Sequence, residues 1–362
     1  MEKNRCGEGQ QYTNQPVVST SLTHVGEHGI VAALRHPMTM NFSDLMRLAN
    51  AFSESQTLFS ANDLDVFTEI GSSSRTAGDI AKRCGADLDG TRLLLDALVG
   101  LDLLSLNGER YRNTSLGRQY LDRHSPTAIS NLLWLLGHHW HDWTKLPQAL
   151  RKGRPGWGPG TKSAKFRHRF SLAMHERSHV LAAPTAATIR LPPQAKRFLD
   201  LGGGPGSYAI ALAKHYPRLK GVVMDQTVTI ARRLIRKNRL RNRLSVREGS
   251  IFTDDLGAGY DAVLVSNIIH VFNAQENRKL LKRTRDALNP GGKVFIVEFF
   301  LDDSRTKPAK SSVFSLMMYL FTGSGRCYSW GEVESWLKRL GFGRFKRQRV
   351  TPDIGTLEAT KL

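Results

Sequence analysis

The stretch Asp200-Leu201-Gly202-Gly203-Gly204-Pro205-Gly206 decides the fold. It follows Arg197–Leu201, an apolar run of strand length, and precedes Ser207–His215, whose apolar residues recur at helical spacing. Glycines between a strand and a helix let the backbone turn sharply and let a ligand approach it closely. A dinucleotide loop needs G-x-G-x-x-G. Counted from Gly202, the sixth residue is Ser207, so that reading fails.

The spacing that fits is D-x-G-x-G-x-G, the pattern of S-adenosylmethionine (SAM) sites, where no pyrophosphate sits on the helix end. Asp225 closes the next apolar run, 23 residues after Gly202, and a carboxylate there can accept hydrogen bonds from both ribose hydroxyls. Working outward, strands are expected at 197–201, 221–224, 244–247, 262–266 and 293–299. Helices at 207–215, 227–238 and 276–288 separate them. Such alternation predicts an α/β fold with a parallel, Rossmann-like sheet. Pro192-Pro193 marks its upstream boundary, so a domain spanning 191–362 is expected.

Upstream of it, residues 1–38 are polar without a period and read as a loose arm. Phe42, Leu45, Leu48, Ala49 and Phe52 recur at three- and four-residue steps, which predicts an amphipathic helix over 41–59. A short helix is expected at 63–70, then Ala77–Cys84 capped by Thr76, then a Leu-rich helix capped by Asp89. Residues 103–106 and 111–113, joined at Asn107-Gly108, read as a hairpin. Short helices and a hairpin make a winged helix, within a mainly helical domain spanning 39–190. Its candidate recognition helix, TRLLLDALVGLDLL, offers one Arg and two Asp, whereas a base-reading helix presents Arg, Lys, Asn or Gln. Specific nucleic-acid binding is therefore not expected.

The 362 residues carry 52 Lys plus Arg against 32 Asp plus Glu, a net charge of +20. Residues 191–362 hold 30 of the basic and 15 of the acidic residues, with a dense basic run over 232–247. That run reads as a solvated helix face, or as an electrostatic patch for an acidic substrate, a carrier protein or a membrane surface. Three widely spaced cysteines, Cys6, Cys84 and Cys327, exclude a disulfide scaffold and a Cys-only zinc site. No apolar run is long enough for a transmembrane segment and no secretory leader opens the chain, so a cytoplasmic protein is expected.

From about residue 41 onward the chain resembles the two-domain, SAM-dependent O-methyltransferases, the plant caffeate-type and bacterial natural-product enzymes. The resemblance rests on the winged helix, the glycine loop, and the segments SNIIH (266–270), NPGGKVFIVE (289–298) and GRCYSW (325–330). It implies a class I methyltransferase domain, a homodimer built through the N-terminal domain, and methyl transfer to a hydroxyl of a small, aromatic metabolite. It implies that His270, at the carboxyl edge of the sheet, is the general base, a role suited to an imidazole because it titrates near neutrality. Glu298 matches the family's first orienting acid. Its second acid falls on Cys327, and the acid that usually follows the histidine falls on Val271. Cofactor positions carried over beside Asp200, Gly202, Gly204, Gly206 and Asp225 are Ser250, Ile251 and Ser266. Acceptor positions are Phe166, Phe170 and Met174 on one wall and Met317, Met318 and Thr322 on the other.

Alternative readings are a same-fold relative that uses SAM structurally while decarboxylating or hydroxylating a polyketide, and a winged-helix DNA-binding regulator. Two histidine clusters resemble metal sites. His175-Glu176-Arg177-Ser178-His179 is a literal H-E-x-x-H, but no third ligand stands at zincin spacing. His138, His139, His141 and Asp142 lie close in sequence, and are expected to pack with Trp140 and Trp143 or line the pocket roof, so no metal is expected.

Overall fold

The computed structural model describes residues 40–154 and 163–362. The arm expected at 1–38 and most of the loop at 151–160 lie outside the described residues. The described chain forms two compact units, residues 40–49 and residues 50–362.

Helix α1 (Phe42–Asp63) is longer than its sequence pattern, and α2 (Val66–Ile70) starts correspondingly later than expected. A short strand, β1 (Ser74–Thr76), precedes α3 (Ala77–Cys84), where Thr76 and Asp79 form a reciprocal capping box. The cap of α4 (Leu88–Gly100) is Asp87, which accepts from the Gly90 amide at 2.7 Å. Asp89, expected to be that cap, lies in the first helical turn, where a carboxylate favours the helix dipole instead. The hairpin forms from β2 (Leu104–Asn107) and β3 (Arg110–Asn113). Its register pairs Asn107 with Arg110, so the two-residue loop is Gly108-Glu109 rather than Asn107-Gly108, with Gly108 at φ +57°. β1 adds to β3 as a third, antiparallel strand that the sequence pattern had not suggested. Phe67, Ile80, Leu95, Leu98 and Tyr111 pack together beneath this small sheet.

A π turn (Gly117–Leu121) leads into α5 (Ser130–Trp143), α6 (Leu146–Lys152), α7 (Ala164–His179) and α8 (Ala182–Thr188). α5 packs along α7, and α8 along the first helix after the glycine loop.

The large sheet is built from β4 (Arg197–Leu201), β5 (Lys220–Asp225), β6 (Leu244–Glu248), β7 (Tyr260–Ser266), β8 (Leu288–Glu298), β9 (Phe342–Arg349) and β10 (Gly355–Lys361). Between them run α9 (Ser207–His215), α10 (Thr229–Lys237), α11 (Ala274–Ala287), α12 (Ala309–Phe321) and α13 (Trp330–Arg339). The strand order is β6-β5-β4-β7-β8-β10-β9. The first five strands are parallel, and β10 runs antiparallel to both β8 and β9. Period-two alternation sends Phe198, Val223, Leu264 and Phe295 to one face and Leu199, Met224, Val263 and Ile296 to the other. Both faces are covered, which is why these strands read as continuous apolar runs. From β4 the chain goes first to β5 and later to β7, on opposite sides. That reversal opens a crevice at the carboxyl ends of β4 and β7, where ligands of open α/β sheets bind.

Among the described residues, no helix is long and apolar enough to cross a membrane.

Candidate active site

The register of the sheet gathers the site. Leu201 lies beside Met224 and Val265, and Ser266 beside Val297. The residues that follow or end these strands, Gly202, Asp225, Ser266 and Glu298, therefore share one edge.

The glycine loop has the conformation its composition requires. Gly202, Gly204 and Gly206 sit at φ +68°, +51° and +73°, a region that L side chains avoid. A Cβ on Gly202 would lie 2.6 Å from the Ile268 side chain. The Gly202 amide donates to the Met224 carbonyl at 2.8 Å, and the Gly204 amide to Asp225 Oδ2 at 2.9 Å. The other oxygen of Asp225 accepts from the Thr227 amide at 3.0 Å. Burial raises the Asp225 pKa, opposed by these amides.

Asp200 is fully buried, and among the described residues neither carboxyl oxygen has a well-formed hydrogen bond, the Ala209 amide being close enough only to oppose part of the effect of burial. Burial foremost, then the charge of Asp225, pushes its pKa up to about 7. Ser266 Oγ and Asn267 Oδ1 are likewise buried without partners. Unpartnered buried acceptors beside a glycine cradle are what a polar, cationic ligand would complete, so these residues fit SAM. Ile251 is buried. Ser250 is half-engaged already, because its Oγ accepts from the Phe252 amide at 3.2 Å.

His270 stands in a 3-10 turn (Ile269–Val271) just beyond β7. Its Nδ1 lies 2.7 Å from Glu298 Oε1, which also accepts from the Phe299 amide at 2.8 Å. Both side chains are buried. A carboxylate only accepts, so Nδ1 carries the proton of this contact. The ring meets Phe314 edge-on at 5.0 Å. Gly325 packs against the His270 carbonyl so closely that a Cβ there would overlap it. Cys327, where the family has an acid, is fully buried. Burial and then the Glu298 charge push its thiol pKa up, so it stays neutral and supplies no counter-charge to His270.

His270 faces a cavity of about 190 Å³. All six acceptor positions carried over from the resemblance line it: Phe166, Phe170, Met174, Met317, Met318 and Thr322. Thr322 contributes little polarity, since its hydroxyl donates to Met318 O and accepts from the Gly325 amide, both at 2.7 Å. The sequence reading missed Phe314 and Phe321 on α12, Leu135 on α5 and Arg177 on α7, which also line the cavity. Arg177 follows Phe166, Phe170 and Met174 at helical steps, so periodicity alone could have placed it.

The two histidine clusters are drawn into other contacts. Glu176 accepts from Asn131 Nδ2 and from the Leu132 amide, away from His175, whose Nδ1 meets Ser207 Oγ at 2.8 Å. Burial foremost pushes the His175 pKa down to about 4. His139 packs on Phe321 at 4.2 Å and Asp142 pairs with Lys145 at 3.0 Å. Of the basic run, Arg232, Arg233, Arg236, Lys237, Arg239 and Arg241 are exposed. Arg243 instead donates to the carbonyls of Ala213 and Tyr216.

The sheet order, the glycine loop and the acidic residue ending β5 together define a class I methyltransferase. Comparison with known proteins narrows this. A model of the O-methyltransferase domain matches residues 143–343, and one of the O-methyltransferase dimerisation domain matches residues 46–123. The tetracenomycin polyketide synthesis 8-O-methyl transferase TcmO of Streptomyces glaucescens is 30% identical, across 86% of this chain and 94% of that protein. The 3-hydroxy-5-methyl-1-naphthoate 3-O-methyltransferase of Streptomyces sahachiroi is 29% identical, across 84% and 90%. Human N-acetylserotonin methyltransferase in complex with SAM has a TM-score of 0.78 at 26% identity, covering 90% of this chain and 99% of that one. The chain belongs to the SAM-dependent O-methyltransferase family of natural-product type.

Proposed function

We propose that this enzyme methylates a hydroxyl group on a flat aromatic metabolite, with His270 as general base and Glu298 holding it. The observation that carries the reading is the His270–Glu298 pair, 2.7 Å apart and buried, at the wall of a cavity lined by Phe and Met. Aromatic and thioether side chains form an apolar slot suited to a planar ring. The names of two relatives, a polyketide 8-O-methyl transferase and a naphthoate 3-O-methyltransferase, describe acceptors of that shape.

When bound, SAM would supply an electrophilic methyl group whose transfer to the acceptor oxygen leaves the bonding electron pair on sulfur, and the glycine loop, Asp200 and Asp225 would hold it. This chain's residues do the remaining work. The cavity walls align the acceptor, which contributes the larger share of the rate in such displacements. The hydroxyl proton passes to His270 Nε2, and the imidazolium so formed is stabilised by the Glu298 carboxylate.

Incubating the protein with SAM and a series of hydroxylated arenes tests this. The expected product is about 14 Da heavier per turnover, from the added CH₂, with one S-adenosylhomocysteine (SAH) released for each. Loss of CO₂ or gain of oxygen in every product would show that the cofactor serves a different chemistry and would sink the reading.

We assign residues 39–190 to dimerisation and residues 191–362 to cofactor binding. In support, the dimerisation model covers residues 46–123, and α1 carries exposed Phe42, Leu45, Leu48 and Phe52. A contiguous exposed apolar stripe of this kind marks an association surface. Light scattering at micromolar concentration is expected to give twice the chain mass of 40.5 kDa. A homodimer is ruled out if that concentration gives the mass of one chain.

A further inference from the structure

The acceptor cavity holds one feature that an apolar slot for a neutral ring does not need. Arg177 lies on α7 one turn beyond Met174, and its side chain lines the cavity. Its guanidinium carbon is 4.8 Å from the centre of the Phe299 ring and 5.3 Å from that of Phe314. Among the described residues, no hydrogen bond or ion pair reaches it, so five N–H donors are unspent. Two aromatic faces offset part of the cost of burying this charge and fix the plane of the fork, but they satisfy none of its donors.

Glu298 is near enough to act on the charge of Arg177; its Oε1 is committed to His270 and the Phe299 amide, and its Oε2 is buried with no hydrogen-bond partner among the described residues, so it does not bond the guanidinium. Asp142 lines the same cavity and is paired with Lys145 at 3.0 Å. The histidines of the lining pack against rings or serve Glu298. Arg177 is thus the only permanent cation among the described lining residues. Burial lowers its pKa, but a guanidinium remains protonated in a protein. Arg177 is half-buried, and a guanidinium charge partly withdrawn from water favours an opposite charge; the planar, two-oxygen group that matches its fork is a carboxylate.

We infer that the acceptor is an aromatic acid, with its carboxylate bound by Arg177 and its hydroxyl directed to His270. This rests on the hydroxyarene reading above and specifies the second functional group of the substrate. Arg177 acts here as a specificity-determining residue. Charge-assisted hydrogen bonds in a cavity of this kind are expected to favour an acid over its neutral isostere about 10- to 100-fold.

The test is calorimetric titration of the SAH-saturated protein with a series of hydroxybenzoic and hydroxynaphthoic acids, each against its own carboxamide. Wild type is expected to prefer the acids, Arg177→Met to lose the preference, and Arg177→Lys to keep part of it, with SAH affinity unchanged in both variants. If Arg177 only balanced the charge of Glu298, Arg177→Met would shift the pH profile of turnover for acids and amides alike and leave the acid/amide ratio intact. The inference is overturned by that result, by equal wild-type affinity for acids and amides, or by failure of every acid to bind while SAH binds. Acids that bind through Arg177 but gain no methyl group would overturn the hydroxyarene reading instead.

Discussion

Replacing His270 with alanine is expected to lower kcat by about 10²- to 10⁴-fold, the range of general-base catalysis, and to leave SAH affinity within about twofold. The two effects are expected to separate because His270 lies at the cavity wall while the residues proposed to hold the cofactor lie on the glycine loop and β5. Activity does not vanish, since the walls of the cavity still align the acceptor and alignment persists without a base. Glu298→Gln is expected to reproduce about one-tenth or more of the loss. An amide oxygen can still accept from Nδ1 and from Phe299, but it lacks the charge that stabilises an imidazolium. The neighbourhood cannot compensate, because Cys327 is held neutral by burial and Val271 is apolar. Initial rates with saturating SAM and a methylated acceptor decide the matter. A His270→Ala enzyme with wild-type kcat would remove His270 from the mechanism.

Asp200→Asn has a double outcome: tighter folding without cofactor and weaker binding of it. The Asp200 carboxyl is raised from 3.8 to about 7, chiefly by burial. A folded-state pKa above the unfolded one contributes stability that is fully present below about pH 4. It is lost as pH climbs through about 7. By pH 8 the ionised form costs on the order of 4 kcal/mol. Asparagine removes the charge but keeps unpartnered polar atoms, so part of that sum is recovered and the thermal midpoint of the cofactor-free protein rises by several degrees at pH 8. At pH 4 the rise disappears. Binding responds oppositely, because a cationic ligand is met by the ionised carboxylate. SAM affinity of the wild type should climb with pH up to about 7 and level off, with proton release visible as buffer-dependent binding enthalpy. In Asp200→Asn, affinity should fall at least about tenfold at pH 8, from loss of a charge-assisted contact, and the pH slope should flatten. A slope that persists in the variant would assign the titration to another group, with Asp225 the first to examine.

The glycine loop, the alternating strands and Asp225 were legible in the sequence because backbone conformation constrains residue choice directly. Only glycine takes φ +68° easily at Gly202, and only unbroken apolar runs suit strands covered on both faces. The β9–β10 pair went unread for a related reason. β9, Phe342–Arg349, lies at the edge of the sheet and carries Arg344, Lys346, Arg347 and Arg349. Charged edges guard against strand addition and erase the apolar alternation that marks a strand. The α4 cap was read as Asp89 rather than Asp87 because both residue types are acceptable caps two positions apart, and only backbone dihedrals decide between them. Arg177 was passed over because the H-E-x-x-H string that contains it draws attention to its histidines and glutamate as metal ligands. The resemblance supplied Ser250, Ile251, Ser266 and the acceptor positions. No period or spacing in the sequence marks where α5, α7 and α12 close around a cavity.

The crevice left by the reversal of strand order has a consequence for how such an enzyme changes over time. The glycine loop lies at a strand end, whose backbone tolerates almost no exchange: a methyl group on Gly202 already collides with Ile268. The cavity beside His270 is walled by helical faces of α5, α7 and α12, where one side chain can be swapped for another of similar bulk. On the proposed division of labour, the methyl donor would be held constant while the recipient drifts. A scaffold divided in this way accumulates new recipients by single substitutions, each leaving the donor half untouched, and so suits a lineage whose members differ mainly in what they decorate.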